Sequence, residues 1–260
     1  MGTIAVGTCG YSYNEWVGPL YPPKTKQEDF LTIYAEQFST VELNFSYYTM
    51  PTAEQLRRMT ETAPSLFYAI KAPGSLTHKV ETHKWQDEAK TYKAALEPLL
   101  EAGKLEAVLF QFPYSFHYEE DNRRHLANLL NCFAGIPSAV EFRNTEWNNN
   151  RVIDEFKKRE ITYVSTDLPD LKGLPSILDV CTSPLVYFRL HGRNAEQWWG
   201  SDSRSRYDYL YNDNELKGTV QRIKRLIIKA DKILVYFNNH ARGQAVKNAL
   251  RLKELLMTND

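Results

Sequence analysis

Cysteine is scarce in this 260-residue chain, and long apolar runs are missing. Cys9, Cys132 and Cys181 are odd in number, widely spaced and without any Cys-x-x-Cys pattern. That excludes a disulfide framework and predicts reduced thiols in a cytoplasmic protein, each used in buried packing. No apolar stretch approaches the ~18 residues of a membrane-spanning helix, and no basic-then-apolar leader opens the chain, so a soluble protein with no membrane partner is expected. Net charge is absent too, with 32 Lys and Arg against 32 Asp and Glu. No Gly-x-Gly-x-x-Gly follows a strand and no Walker-type loop occurs, so no nucleotide cofactor is expected. A Gly-x-Ser-x-Gly elbow, a His-x-His pair and a His-Glu-x-x-His motif are likewise missing. No linker, repeat or low-complexity run divides the sequence. One domain over residues 1–260 is therefore expected, large enough to hold together by its core alone.

What is present is a series of β-branched or aromatic runs with polar tails: Val41–Asn44, Tyr68–Lys71, Val108–Gln111, Val140–Arg143, Val164–Asp167, Tyr187–His191 and Tyr236–His240. Strands are predicted over 3–9, 40–44, 67–71, 105–112, 138–143, 161–166, 184–191 and 232–238. Amphipathic segments lie between them, at about 27–37, 52–63, 86–102, 120–134, 148–159, 214–230 and 241–256. Thr52 with Gln55 resembles a capping box, and Gly103 and Gly135 sit where helix C-caps belong. The 168–183 connection, with Pro169, Gly173 and Pro175, predicts a short or irregular helix. This alternation predicts a single (β/α)8 TIM-like barrel of the α/β class, with a doubly wound open sheet as the runner-up.

Alternate residues on a barrel strand point inward or toward the helices. If the apolar parity faces the helices, Glu42, Asn44, Lys71, Gln111, Glu141, Arg143, Arg189, His191 and Asn238 face the C-terminal mouth, where barrel enzymes carry their sites. Glu42 and Glu141 are expected to act as an acid–base pair, with Asp167 setting the ionisation of His191, a further acid or base. Lys71, Arg143 and Arg189 would bind negative charge, while Asn44, Gln111 and Asn238 orient hydroxyls. Tyr11 and Trp16 in the first loop, and Trp147 after strand five, are candidate ligand-contacting aromatics. The seventh loop adds Trp198, Trp199, Tyr207, Tyr209, Tyr211 and three arginines, Arg193, Arg204 and Arg206. On this reading Glu141→Gln keeps the fold and loses turnover. The competing reading is structural: Glu42, Glu141 and Asp167 simply neutralise Lys71, Arg143 and Arg189.

A divalent metal held by Glu42, Glu141, Asp167, His191 and His240 is possible but disfavoured, because strands three and four end in Lys71 and Gln111. His78 and His83, in the third loop, are expected to face solvent. Cys9 is expected in the packed interior, and a Schiff base at Lys71 requires desolvation that neighbouring acids would oppose. Residues 217–253 carry an excess of nine positive charges, which suggests either a solvated helix face or a nucleic-acid partner.

Several motifs together resemble a known family: Gly7-Thr-Cys-Gly-Tyr-Ser-Tyr with Trp16, Val41-Glu-Leu-Asn with Tyr47-Tyr48, Phe110-Gln-Phe-Pro, and Val140-Glu-Phe-Arg with Trp147. Arg189-Leu-His-Gly-Arg, Arg206-Tyr-x-Tyr-x-Tyr and Tyr236-Phe-Asn-Asn-His extend the match over essentially the whole chain. The sequence is similar to the YecE-like family of TIM-barrel proteins, a domain-of-unknown-function group. The resemblance implies a barrel with a polar pocket at its C-terminal mouth and supplies no reaction. Three functions follow as expectations. The first is an enzyme (hydrolase, lyase or isomerase) acting on a polar, anionic or hydroxylated sugar- or phosphate-type molecule. The others are a nucleic-acid-binding or processing protein and a non-catalytic small-molecule binder.

Overall fold

The predicted strands become eight parallel strands with helices between them in a computed structural model, which describes residues 2–258. The strands are β1 (Thr3–Thr8), β2 (Thr40–Leu43), β3 (Phe67–Lys71), β4 (Leu105–Gln111), β5 (Ser138–Glu141), β6 (Thr162–Asp167), β7 (Leu185–Leu190) and β8 (Lys232–Phe237). Their order, β1-β8-β7-β6-β5-β4-β3-β2, curls the sheet toward closure instead of leaving the open doubly wound arrangement. Among the described residues β1 and β2 share no paired ladder; at their tops Cys9 and Glu42 form an isolated bridge and Gly10 N donates to the Glu42 carbonyl at 2.7 Å. Gly7 sits at this seam because a Cβ there would run into the Thr40 carbonyl oxygen. The barrel is nearly closed.

The helices are α1 (Phe30–Gln37), α2 (Ala53–Thr62), α3 (Gly74–Thr77), α4 (Trp85–Ala95), α5 (Glu97–Glu101), α6 (Glu120–Cys132), α7 (Asn150–Lys158), α8 (Ser203–Arg206), α9 (Asp213–Leu226) and α10 (Gln244–Met257). The Thr52 side chain accepts from Gln55 N at 3.1 Å, capping α2 as its sequence predicts. The amphipathic stretch at 86–102 is divided into α4 and α5, with Pro98 in the first turn of the second helix. Residues 168–184, between β6 and β7, contain no helix.

Strand parity separates two cores. Val41, Leu43, Tyr68, Ile70, Phe110, Val140, Phe142, Phe188 and Leu190 pack outward against the helices, each burial contributing about 1.5–3 kcal/mol. The barrel interior holds Ala5, Ala69, Ala107, Ala139, Val164, Tyr187, Leu234 and Tyr236. Four alanines leave volume there for the two tyrosines and, above them, for long polar side chains. β6 departs from the expected parity. Tyr163 packs among Phe142 and Phe156 on the helix side, with ring centroids 5.9 and 6.0 Å away. Asp167, four residues on, therefore faces the helices as well.

Candidate active site at the barrel mouth

The tops of β2, β5 and β7 bring four charged side chains together. Arg189, only 2 % exposed, is the hub: Nη1 donates to Glu141 Oε2 at 2.5 Å and Nη2 to Glu42 Oε1 at 2.7 Å. Tyr187 Oη donates to Glu42 Oε2 at 2.7 Å, and Arg143 Nε pairs with Glu141 Oε1. Both carboxylates thus have both oxygens engaged. Burial pushes the Glu141 carboxyl up, yet Arg143, Arg189 and His191 together hold it well below the usual carboxylate range. His191 is fully buried. Asn238 Nδ2 contacts its Nδ1 at 3.0 Å, and Nε2 lies 3.4 Å from Glu141 Oε1. Burial first, and Arg143 second, drive its pKa well below that of free imidazole, so the ring is neutral.

Lys71 stands at the edge of this cluster, half-buried. Its Nζ donates to Gln111 Oε1 at 2.8 Å and lies 4.1 Å above the Tyr47 ring, with no carboxylate oxygen within 4 Å among the described residues. Desolvation and then the Arg189 charge lower its pKa to about 7, against the opposing pull of Glu141 and Glu42. The neighbouring acids do favour the charged amine, as expected, but burial and the arginine charges outweigh them. Gln111 is fixed in turn, with Nε2 donating to the Phe112 carbonyl at 2.8 Å. Asn44 lies at the top of β2 beside Tyr11, and both line a surface cavity of about 670 Å³ next to the mouth.

Three expected site residues are placed elsewhere. Asp167 binds Arg193, with Nε to Oδ1 and Nη2 to Oδ2 both at 2.9 Å, so its carboxylate cannot orient His191; only its backbone carbonyl does, accepting from His191 N at 3.0 Å. Trp147 is wedged between strands and helices, stacked on Phe142 at 4.4 Å, with Nε1 donating to the Phe116 carbonyl at 2.7 Å. Trp16 is fully buried and anchors the first loop by donating to the His240 carbonyl at 2.9 Å. Trp147 follows outward-facing Phe142, and Trp16 starts a loop that folds back on the scaffold.

The structure also adds residues. His78, expected in solvent, lies with Nε2 3.5 Å from Gln111 Nε2 because the single turn of α3 carries the chain back over β3. Burial, then the Lys71 charge, lowers its pKa to about 4, leaving it neutral. It lines a cavity of about 710 Å³ that extends to His125. The seventh loop roofs the mouth: Trp198 lies 5.6 Å from the Arg143 guanidinium and Tyr207 5.8 Å from the His191 ring. The turn of α3 that brings His78 back was not predicted from the sequence, and nothing in the sequence distinguished buried Trp198 from exposed Trp199. Cys9 is buried as expected, with Arg189 Nη2 3.6 Å from its Sγ, but Cys132 is exposed.

Among the described residues no three His, Cys, Asp or Glu side chains form a metal-ligand group. Among those residues no helix is long and apolar enough to cross a membrane. The basic 217–253 segment carries many ion pairs: Arg222 and Arg225 share Asp179 at 2.5 and 2.6 Å, and Arg251 binds Asp213 and Glu254.

Similarity to known proteins agrees with this architecture. A family described as protein of unknown function DUF72 matches residues 5–260. The UPF0759 protein YunF of Bacillus subtilis (strain 168) is 29% identical, covering 97% of this chain and 94% of that protein. The crystal structure of a DUF72 family protein from Thermotoga maritima MSB8 superposes with a TM-score of 0.91 at 35% identity, over 98% of this chain and 100% of that one. A second, from Enterococcus faecalis V583, gives 0.87 at 25% identity, over 99% and 97%. The 3-keto-D-glucoside 4-epimerase YcjR of E. coli shares the fold alone, at a TM-score of 0.58 and 10% identity over 98% and 99%.

Proposed function

The chain belongs to the DUF72 family, and on that premise we propose that it is an enzyme acting at the C-terminal barrel mouth on a small anionic, hydroxylated molecule of the sugar or phosphate type. The YecE-like grouping within that family is part of the same proposal. One observation carries the reading: the mouth's charges do not balance. Glu42 and Glu141 face Arg143, Arg189 and Lys71, while the third expected acid, Asp167, is taken up by Arg193 on the outer face. A partly buried surplus cation is costly unless it is neutralised or used. An anionic ligand supplies the missing charge, and Lys71 is the group it would meet.

Roles follow from access. Glu42 and Glu141, with their oxygens engaged, are positioning residues that hold Arg189 and Arg143; they are not a proton-transferring pair. His191, buried and neutral, spaces Arg143 from Asn238. Lys71, with a pKa of about 7, is the group poised to exchange a proton with a ligand at neutral pH. Asn44, Asn238 and Gln111 would orient hydroxyls, and Tyr11 would contact the ligand from the first loop. Hydrolase, lyase and isomerase chemistry all use such a set.

Thermal unfolding with glucose 6-phosphate, inorganic phosphate and glucose tests the reading, because a ligand that binds only the native state raises apparent stability. The two anions are expected to stabilise the wild type more than glucose does, and Lys71→Met to abolish that difference. Equal shifts in wild type and variant, or none in either, would contradict it. A stabilising ligand that is never turned over would replace the enzyme with a sensor.

A further inference from the structure

We propose that Lys71 is a covalent nucleophile, condensing through Nζ with the aldehyde or ketone of a substrate that also carries a phosphate or carboxylate. This deepens the mouth-site reading and rests on it. The geometry supplies what such an amine needs. Nζ is fixed by Gln111 Oε1 at 2.8 Å and by the face of Tyr47, and the strand end that carries it is clamped. Ser46 Oγ and Tyr92 Oη both donate to the Lys71 carbonyl, at 2.5 and 3.3 Å.

The charged and titratable groups around the amine come from every neighbouring element. Arg189 on β7 and Arg143 after β5 disfavour its protonation, Glu42 on β2 and Glu141 on β5 favour it, and neutral His78 and Tyr47 complete the surroundings. The carboxylates are committed to the arginines, so no anion holds the amine in its ammonium form by direct contact. Four other lysines differ in this respect. Lys26, Lys84 and Lys90 pair with Glu28, Glu81 and Asp87 at the surface, and Lys232 pairs with Glu106 below the barrel interior.

The step balances without any redox partner. The Nζ lone pair forms a bond to the carbonyl carbon, and the π pair moves to oxygen, which takes up a proton as nitrogen loses one. The resulting hydroxyl leaves as water once protonated, and the nitrogen pair closes the C=N bond; the net change is amine plus carbonyl giving imine plus water. The iminium form keeps one positive charge at the Lys71 position, so an anionic group on the substrate remains paired with the mouth's surplus.

Reductive trapping decides the matter. Wild-type protein is incubated with glyceraldehyde 3-phosphate or with neutral glyceraldehyde, then treated with sodium borohydride, and the adducts are mapped by peptide mass spectrometry. At pH 7, Lys71 should be modified at least about tenfold faster than any other lysine, since ordinary amines with pKa near 10.4 are almost wholly protonated there. The phosphorylated probe should outpace the neutral one, and the Lys71 rate should level off above pH ~7 while other lysines continue to gain. Lys71→Arg, checked for folding by its unfolding transition, should lose this fast adduct. Modification spread over lysines by exposure, or an adduct rate at Lys71 that climbs to pH 10 like the rest, would overturn the nucleophile. Thermal stabilisation by the phosphorylated probe without a Lys71 adduct would also overturn it while leaving the anion site standing. Absence of both would remove the two together.

Discussion

Glu141 and Asp167 stand at the tops of adjacent strands, each bound to arginine, and they live in different worlds. Glu141 points into the barrel and shares two guanidiniums where solvent does not reach. Asp167 points outward, toward an Arg193 whose side chain is 41% exposed and which also reaches Glu215 at 3.2 Å. The same ion-pair chemistry therefore sets the charge state of a candidate site in one case and pins a loop in the other. A single change of strand parity separates the two. It also leaves the mouth one acid short, which is the origin of the function proposed for it.

The sharpest way to break the contrast is to remove each carboxylate. Glu141→Gln leaves Arg143 without a buried carboxylate and Arg189 with Glu42 alone, and should cost about 3–5 kcal/mol in urea unfolding, contrary to the simple expectation that it spares the fold. A loss below about 1 kcal/mol would mean that the arginines are solvated. Asp167→Asn should cost only ~1–2 kcal/mol by the same measurement, because Arg193 is half in water and keeps Glu215. A loss matching that of Glu141→Gln would erase the distinction between the two faces.

Lys71 sharpens the contrast through pH. Its folded-state pKa is about 7 against an ordinary 10.5, so the folded protein disfavours the bound proton. The cost is complete below pH 7, where both states are protonated, and fades as pH rises toward 10.5 and the unfolded chain releases its proton. Lys71→Met should therefore stabilise by about 1 kcal/mol at pH 6 and by much less at pH 9.5. A pH-independent effect would refute the perturbed amine. The smallest effect is expected at the surface: Arg225→Ala, which removes one of two partners of Asp179, should change stability by less than about 0.5 kcal/mol.

Much of this was legible in the sequence. Period-two runs with polar tails gave the strands to within a residue or two, and alternation on β2, β5 and β7 placed Glu42, Glu141, Arg189 and His191 together at the mouth. Asp167 escaped because its run, Tyr-Val-Ser-Thr-Asp, has no clear apolar parity: Tyr163 and Val164 are both plausible core residues, and packing against Phe142 and Phe156 decides between them. Trp147 and Trp16 were misjudged for a related reason. A tryptophan near a strand end satisfies its ring and its N–H equally well in a scaffold, and only the tertiary path of the loop settles which it does. The depression of the Lys71 pKa was also out of reach, because it depends first on how far the fold buries the amine and then on how close Arg189 comes to it.

The central claim is that Lys71 is the unbalanced cation of the mouth. Its side-chain pKa, followed by heteronuclear NMR in lysine-labelled protein and assigned with Lys71→Arg, measures that directly. The account predicts one lysine titrating near pH 7, with its midpoint moving upward when inorganic phosphate is added. A Lys71 midpoint at or above 10, unmoved by phosphate, would contradict it.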